Sequence, residues 1–207
     1  MAAQLKRAAH ARNCAAAHRD AAALDREEAA RDRDQSAHDR EQAARELERE
    51  SVDHLTGALG RRAGLIAIQR ELDRTARSGE PIVVAFVDVD DLKAINDTQG
   101  HPAGDKALRG VARCIKGNLR SYDVVMRFGG DEFVCSLAGQ DLEAIRARFE
   151  RIAAELTDAP GSHRISVGLT QRQAHETLDE LIARADEALL ATRRLRREPG
   201  RTEERSD

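Results

Sequence analysis

The chain has 207 residues, room for one domain and an extension; 41% are apolar but only 2% aromatic, so a core must be built from Ala, Val, Leu and Ile. A formal charge of −3, with no strongly basic segment outside a short C-terminal tail, leaves no electrostatic footprint for duplex binding and argues against a nucleic-acid partner. No apolar run reaches a membrane-spanning length and no charged-then-apolar leader opens the chain, so no membrane partner is expected and a cytoplasmic protein is predicted.

Residues 1–50 carry a seven-residue repeat. Arg12, Arg19, Arg26, Arg33 and Arg40 recur at one phase, and Ala16, Ala23, Ala30, Ala37 and Ala44 at another. With no Gly or Pro, and with Glu27/Arg31 and Glu41/Arg45 at helical spacing, this predicts a long helix. Its seam of adjacent alanines buries little, so it pairs weakly as a coiled coil or stands as a solvated single helix. Cys14, Cys114 and Cys135 match neither a metal knuckle nor a redox motif and read as reduced structural residues.

Around Ser51 to Arg62 a Gly-bearing turn leads into a helix whose apolar face is read from Leu65, Ile66, Ile68, Gln69 and Leu72, closed by Ser78-Gly79-Glu80-Pro81. Pro81 to Asp90 is a continuous apolar run that turns acidic at Asp88, the pattern of a buried central strand delivering carboxylates to a sheet end. A helix opening at Pro102 carries Leu108, Val111, Ala112, Ile115 and Leu119. Two apolar strands then flank Gly129-Gly130, predicting a hairpin with Asp131 and Glu132 at its tip. A helix from Asp141 to Leu156, a strand from His163 to Thr170, and a helix capped by Thr177 and Glu180 complete the domain.

This order predicts an α/β (α+β) sandwich, a mixed central sheet flanked by helices. Three parts follow: 1–50 the heptad helix, 51–197 the domain, and 198–207 a polar tail. Oxygen ligands at Asp88, Asp131 and Glu132 suit a hard divalent cation, and the glycines let a phosphate approach the backbone. Such a pair of acidic sheet ends can bracket metal ions that activate a hydroxyl and steady a leaving phosphate.

The Arg127-Phe128-Gly129-Gly130-Asp131-Glu132-Phe133 hairpin, together with the run from Asp88 through Lys93, Asn96 and Gly100 to Asp105, resembles the catalytic core of GGDEF-family diguanylate cyclases. The opening Asp53, Leu55, Thr56, Gly57 and Arg61-Arg62 pattern also fits, although Ala58 and Gly60 replace the more usual Leu and Asn. The resemblance implies a fold like nucleotide cyclases and polymerase palms, condensing two GTP into cyclic di-GMP with release of pyrophosphate. It implies Mg²⁺ (or Mn²⁺) held by Asp88, the Val89 carbonyl, Asp131 and Glu132, with Asp131 and Glu132 as the catalytic acids. Asp91, Leu92, Lys93, Gly129, Gly130 and Arg196 would meet the triphosphate, and Asn96 and Asp105 the guanine edge. Arg120 and Asp123 match the family's inhibitory RxxD site, where cyclic di-GMP would bind. Each domain would hold one GTP, so catalysis would need a homodimer, which gives the heptad helix a purpose.

One departure stands out. The family's phosphate-binding Lys aligns with Thr192, which carries no charge; Arg193 is the neighbour that could reach instead, at the cost of a rotation of about 100° around the helix, and the strand that closes the domain is not evident, so weaker GTP binding is expected. That loss keeps a second reading open: a GGDEF domain of little or no turnover that binds GTP or cyclic di-GMP as a signalling module.

Overall fold

A computed structural model describes residues 51–159 and 161–197. The heptad segment and the polar tail, with the expectations placed on them, lie outside those residues.

The elements run α1 (Arg61–Ser78), β1 (Ile82–Val89), α2 (Leu92–Gln99), α3 (His101–Asn118), β2 (Val124–Arg127), β3 (Glu132–Ala138), α4 (Leu142–Asp158), β4 (Ile165–Gln171) and α5 (Leu178–Arg197). The strands form one sheet in the order β2-β3-β1-β4. The mixed sheet expected from sequence is corrected here: β1 pairs antiparallel with both β3 and β4, and β2 with β3. The parallel component is one isolated bridge, Leu59 beside Met126 at the sheet edge. The cause is local. The tight β2–β3 connection forces antiparallel pairing, and β1 takes an antiparallel neighbour on each side.

β1 is buried along its whole length, as a central strand covered on both faces must be. Its odd-numbered residues Val83, Ala85, Val87 and Val89 pack with Leu108, Val111, Ile115, Ile145 and Phe149 of α3 and α4. Its even-numbered Ile82, Val84 and Phe86 pack with Ile68 and Leu72 of α1 and with Leu181, Ala185 and Leu189 of α5. By the same two-residue period Asp88 falls on the α1/α5 face. It sits where the apolar core ends.

α5 can approach that face because β4 carries Gly168, paired with Phe86. A methyl there would run into the α5 backbone at Ala185 and come within 2.8 Å of the Leu189 Cα. Thr177 and Glu180 form the predicted cap, each bonded to the other's backbone N–H. One element was not anticipated: Leu92–Gln99 forms a helix of its own, separated from α3 by Gly100 at φ 82°. Cys114 and Cys135 are free thiols, and burial pushes the Cys114 thiol up to about 11.

Candidate active site

β1 and β3 run antiparallel, so the C-terminal end of one meets the N-terminal end of the other. Asp88 stands opposite Glu132 on one side and Ser166 of β4 on the other. Beyond the last strand pair, the Val89 N–H donates to the Asp131 carbonyl at 3.0 Å, which extends the ladder to the turn. Asp88, Asp131 and Glu132 therefore share one end of the sheet, as their positions predicted.

The turn between β2 and β3 is held from beneath. Arg127 donates to the carbonyls of Gly129 (3.2 Å) and Gly130 (2.6 Å), and its other nitrogen pairs with Asp53 at 3.1 Å. Asp53 in turn accepts from the Thr56 N–H and hydroxyl. Burial opposes the charge on Asp53, yet these hydrogen bonds and Arg127 hold its carboxyl below the ordinary value. Neither turn glycine adopts a positive φ. A side chain at Gly129 would push aside the Glu132 carboxylate, while Gly130 opens onto nothing within 4 Å. The turn glycines thus provide access to backbone rather than a left-handed bend.

The acids are electrostatically strained. Burial lifts Asp88 to about 6, and Asp131 and Asp90 add to the rise while the Arg193 guanidinium opposes it. Glu132 is raised as well, by burial first and then by Asp131 and Asp186. Among the described residues no group of three or more His, Cys, Asp or Glu side chains is assembled to hold a metal ion. The expected ligands share a location but not a cage. That suits Mg²⁺, which is commonly bound by one or two carboxylates together with substrate phosphates rather than by an all-protein cage. The donor set, hard oxygens crowded enough that Asp88 and Glu132 are both raised, fits such an ion.

The positive charge at this site comes from α5, and not from where the sequence placed its loss. The Thr192 hydroxyl donates to Ala188 of its own helix at 3.0 Å and to Val167 of β4 at 3.4 Å. Arg193, one position on and rotated by about 100° around the helix, bonds Asp88 and lies 3.4 Å from Asp90. Arg196, one turn further, donates to the Ile165 carbonyl at 3.1 Å and stands 3.6 Å from Asp90. Of the two neighbours, Thr192 turns back onto its own helix and Arg193 is the one that reaches the acids, across the expected offset of about 100°.

α2 begins at Asp91, a non-glycine residue at φ 60°, ψ 20°, and no side chain caps its first N–H groups. Asp91, Leu92 and Lys93 thus offer an uncapped helix start beside Asp88, with Lys93 exposed. Asn96 lies in the last turn of α2, and its Oδ1 is buried with no partner. The cap or turn role open to it from sequence alone is not what the structure shows. Asp105 is half-buried in α3 beyond Gly100.

Arg120 and Asp123 lie at the other end of β2. They close a turn: the Arg120 N–H donates to Asp123 at 2.8 Å and the Asp123 N–H to the Arg120 carbonyl at 3.0 Å. The Arg120 guanidinium bonds the Tyr122 hydroxyl at 2.7 Å. The other Asp123 oxygen is buried without a partner, and burial raises its carboxyl although Arg120 and Arg148 oppose the rise. Arg148 of α4, 3.8 Å from Asp123, went unnoticed in the sequence, where nothing links positions 25 apart. A cavity of about 370 Å³ lies over this turn.

An antiparallel sheet covered by helices, with acids at the end of its central strand and an acidic glycine turn beside them, defines an α+β sandwich with a catalytic-type sheet end. The family described as "Diguanylate cyclase, GGDEF domain" matches residues 50–199, and the chain belongs to it. Among curated proteins it is 35% identical to diguanylate cyclase DgcP of Pseudomonas aeruginosa over 158 residues, 73% of this chain and 24% of that one. It is 38% identical to diguanylate cyclase DosC of Escherichia coli K12 over 153 residues, 69% of this chain and 33% of that one. The chain thus spans a quarter to a third of the length of these relatives. Among solved structures, the GGDEF domain of DgcB from Caulobacter crescentus in complex with c-di-GMP superposes with a TM-score of 0.67 at 28% identity, covering 70% of this chain and 90% of that one. Diguanylate cyclase SiaD in complex with its activator SiaC, from Pseudomonas aeruginosa, gives 0.66 at 33% identity, covering 92% and 77%.

Proposed function

We propose that the protein is a diguanylate cyclase condensing two GTP into cyclic di-GMP and two pyrophosphates. The observation that carries this reading is the sheet end itself: Asp88, Asp131 and Glu132 at one place, with guanidinium groups from α5 beside them. A divalent cation, Mg²⁺ or Mn²⁺, bound by Asp88, Val89, Asp131 and Glu132 would supply hydroxyl activation and neutralise charge on the phosphates.

The rest falls to the chain's own residues. The 3′-oxygen of one GTP forms a bond to the α-phosphorus of the other, the bond to the bridging oxygen breaks, and pyrophosphate leaves; repetition in the opposite sense closes the ring. Glu132, whose carboxyl is raised above the ordinary range, is suited to accept the hydroxyl proton. The start of α2, Lys93, Gly129, Gly130, Arg193 and Arg196 hold the triphosphate, so that catalysis is chiefly positioning and charge neutralisation. Asn96 and Asp105 accept from the guanine N1–H and amino group, a pattern adenine lacks, which favours GTP over ATP.

Each domain offers one such site, so two chains must face each other, and residues 1–50 are assigned to pairing them. Another solved relative is described as the coiled coil and GGDEF domain of DgcB. Arg120 and Asp123 are assigned to feedback by cyclic di-GMP. The cytoplasm, where GTP is found, is the fitting compartment, and among the described residues no helix is long and apolar enough to cross a membrane. The alternative of a domain that binds without turnover drew on the uncharged Thr192 and on the missing closing strand, and Arg193 weakens the first of these.

The test is product formation. Nucleotide-stripped protein given GTP and Mg²⁺ should yield cyclic di-GMP and pyrophosphate, and Asp131→Ala should yield neither. Binding of GTP or cyclic di-GMP with no product from the native chain would replace the cyclase by the binding module.

A further inference from the structure

Arg193 holds a position that the chemistry of GTP binding alone does not account for. Among the described residues it is the one hydrogen-bond partner of the Asp88 side chain. Asp90, by contrast, accepts two hydrogen bonds, from the Ser166 hydroxyl at 2.6 Å and Arg193 at 3.4 Å, and forms an ion pair with Arg196 at 3.6 Å. If Arg193 withdraws, Asp90 keeps two partners and Asp88 keeps none. The Asp88 side chain is only 9% exposed, so its charge cannot be left to water. One guanidinium therefore governs whether one carboxylate is free.

On the reading that Asp88 is a ligand of the catalytic cation, we propose that Arg193 is its built-in counter-ion before substrate arrives. A divalent cation reaches Asp88 only by displacing Arg193, and the triphosphate gives the displaced guanidinium its new partner. Arginine suits this better than lysine, because its planar fork can span Asp88 and Asp90 together and can then take phosphate oxygens in pairs. The fold supplies the reach: Gly168 lets α5 settle against β4, so that Arg193 extends over the end of β1.

The exchange makes the two ligands interdependent. A cation alone must overcome the Arg193–Asp88 pair, whereas cation and nucleotide together replace it. By linkage, each raises the affinity for the other. The chain is thereby kept from loading metal without substrate.

The experiment titrates Mn²⁺ into nucleotide-stripped full-length protein and follows free Mn²⁺ by electron paramagnetic resonance. Arg193→Met should bind Mn²⁺ about 10-fold more tightly than the native chain without nucleotide, the equivalent of losing about 1.4 kcal/mol of competing ion pair. The same variant should bind GTP more weakly at saturating Mn²⁺. Its thermal midpoint should fall without metal and recover when Mn²⁺ is added, a response that a purely structural contact would not give. Arg193→Lys, which keeps the charge, should bind Mn²⁺ with intermediate affinity and serves as the test if the Met variant does not fold. Mn²⁺ affinity that is unchanged or weaker in both variants overturns the counter-ion. Asp88→Asn separates the two levels: Mn²⁺ binding that survives it shows that Asp88 is not a metal ligand, and the underlying site assignment fails first.

Discussion

The two ends of β2 present the same two residue types in different proportions: several acids at one end, a single acid at the other. At the β2–β3 turn carboxylates crowd together, Asp88 and Glu132 are raised, and a guanidinium comes from a distant helix. At the Arg120–Asp123 turn, a single acid accepts from the Arg120 backbone N–H and faces Arg148 of α4, while the Arg120 guanidinium rests against Tyr122. The four residues of β2 lie between them, roughly 13 Å at ~3.3 Å per residue. Clustered negative charge suits a cation and phosphates, whereas a lone acid with an unpartnered oxygen beside an Arg suits a base edge with its own donors and acceptors. A ligand at the second end therefore does not compete directly for the first and must act through the strand or through the pairing of two domains.

The sharpest way to break this contrast is to remove charge from the crowded end. Glu132→Gln or Asp131→Asn should lower pyrophosphate release by at least about 10²-fold while leaving cyclic di-GMP binding, measured by calorimetry, intact. Loss of both would mean the two ends are one site. Arg120→Ala should do the converse, weakening inhibition by added cyclic di-GMP by about 10-fold or more with the initial rate retained. Unchanged inhibition would remove product from that turn.

Arg127→Ala tests what ties the crowded end down. It frees the turn carbonyls and leaves half-buried Asp53 with Thr56 alone, so denaturant unfolding should show a loss of about 1–2 kcal/mol, with a lower rate as well. A normal rate would show that the turn holds its own shape.

Asp88 gives the comparison a pH signature. Its folded pKa of about 6 lies above the ordinary 3.8, so the protonated form is favoured by folding. The stability it contributes is complete below about 3.8 and is lost as pH rises through about 6. Asp88→Asn should therefore gain in melting temperature relative to the native chain between pH 4 and 7. Cation binding has the opposite sign and should weaken in the native chain as pH falls through about 6. The smallest effect is expected at Thr192→Ala, which removes a hydroxyl bonded to its own helix and should change neither rate nor stability by more than about 0.5 kcal/mol.

Much of the site was readable because its parts are local. An apolar run that turns acidic, a glycine pair between strands and an Asn ahead of a Gly each announce themselves within ten residues. The family resemblance then joined them. What escaped notice was non-local: Arg127 meets Asp53 across 74 positions, and Arg148 meets Asp123 across 25. Composition offers no help there, since 34 basic residues give every acid many possible partners.

The sequence by itself determined the strands and every helix but α2, because hydrophobic periodicity is a property of neighbours along the chain. It also determined that carboxylates would stand at the end of the central strand, since a buried strand cannot carry them elsewhere. Only the tertiary structure decided that the four strands pair antiparallel, and that the cation beside Asp88 is Arg193 rather than a charge lost at Thr192. One residue along a helix is a rotation of about 100°, and which residue faces the site is set by how closely α5 packs on Gly168. That is a fact of packing, which no window of sequence contains.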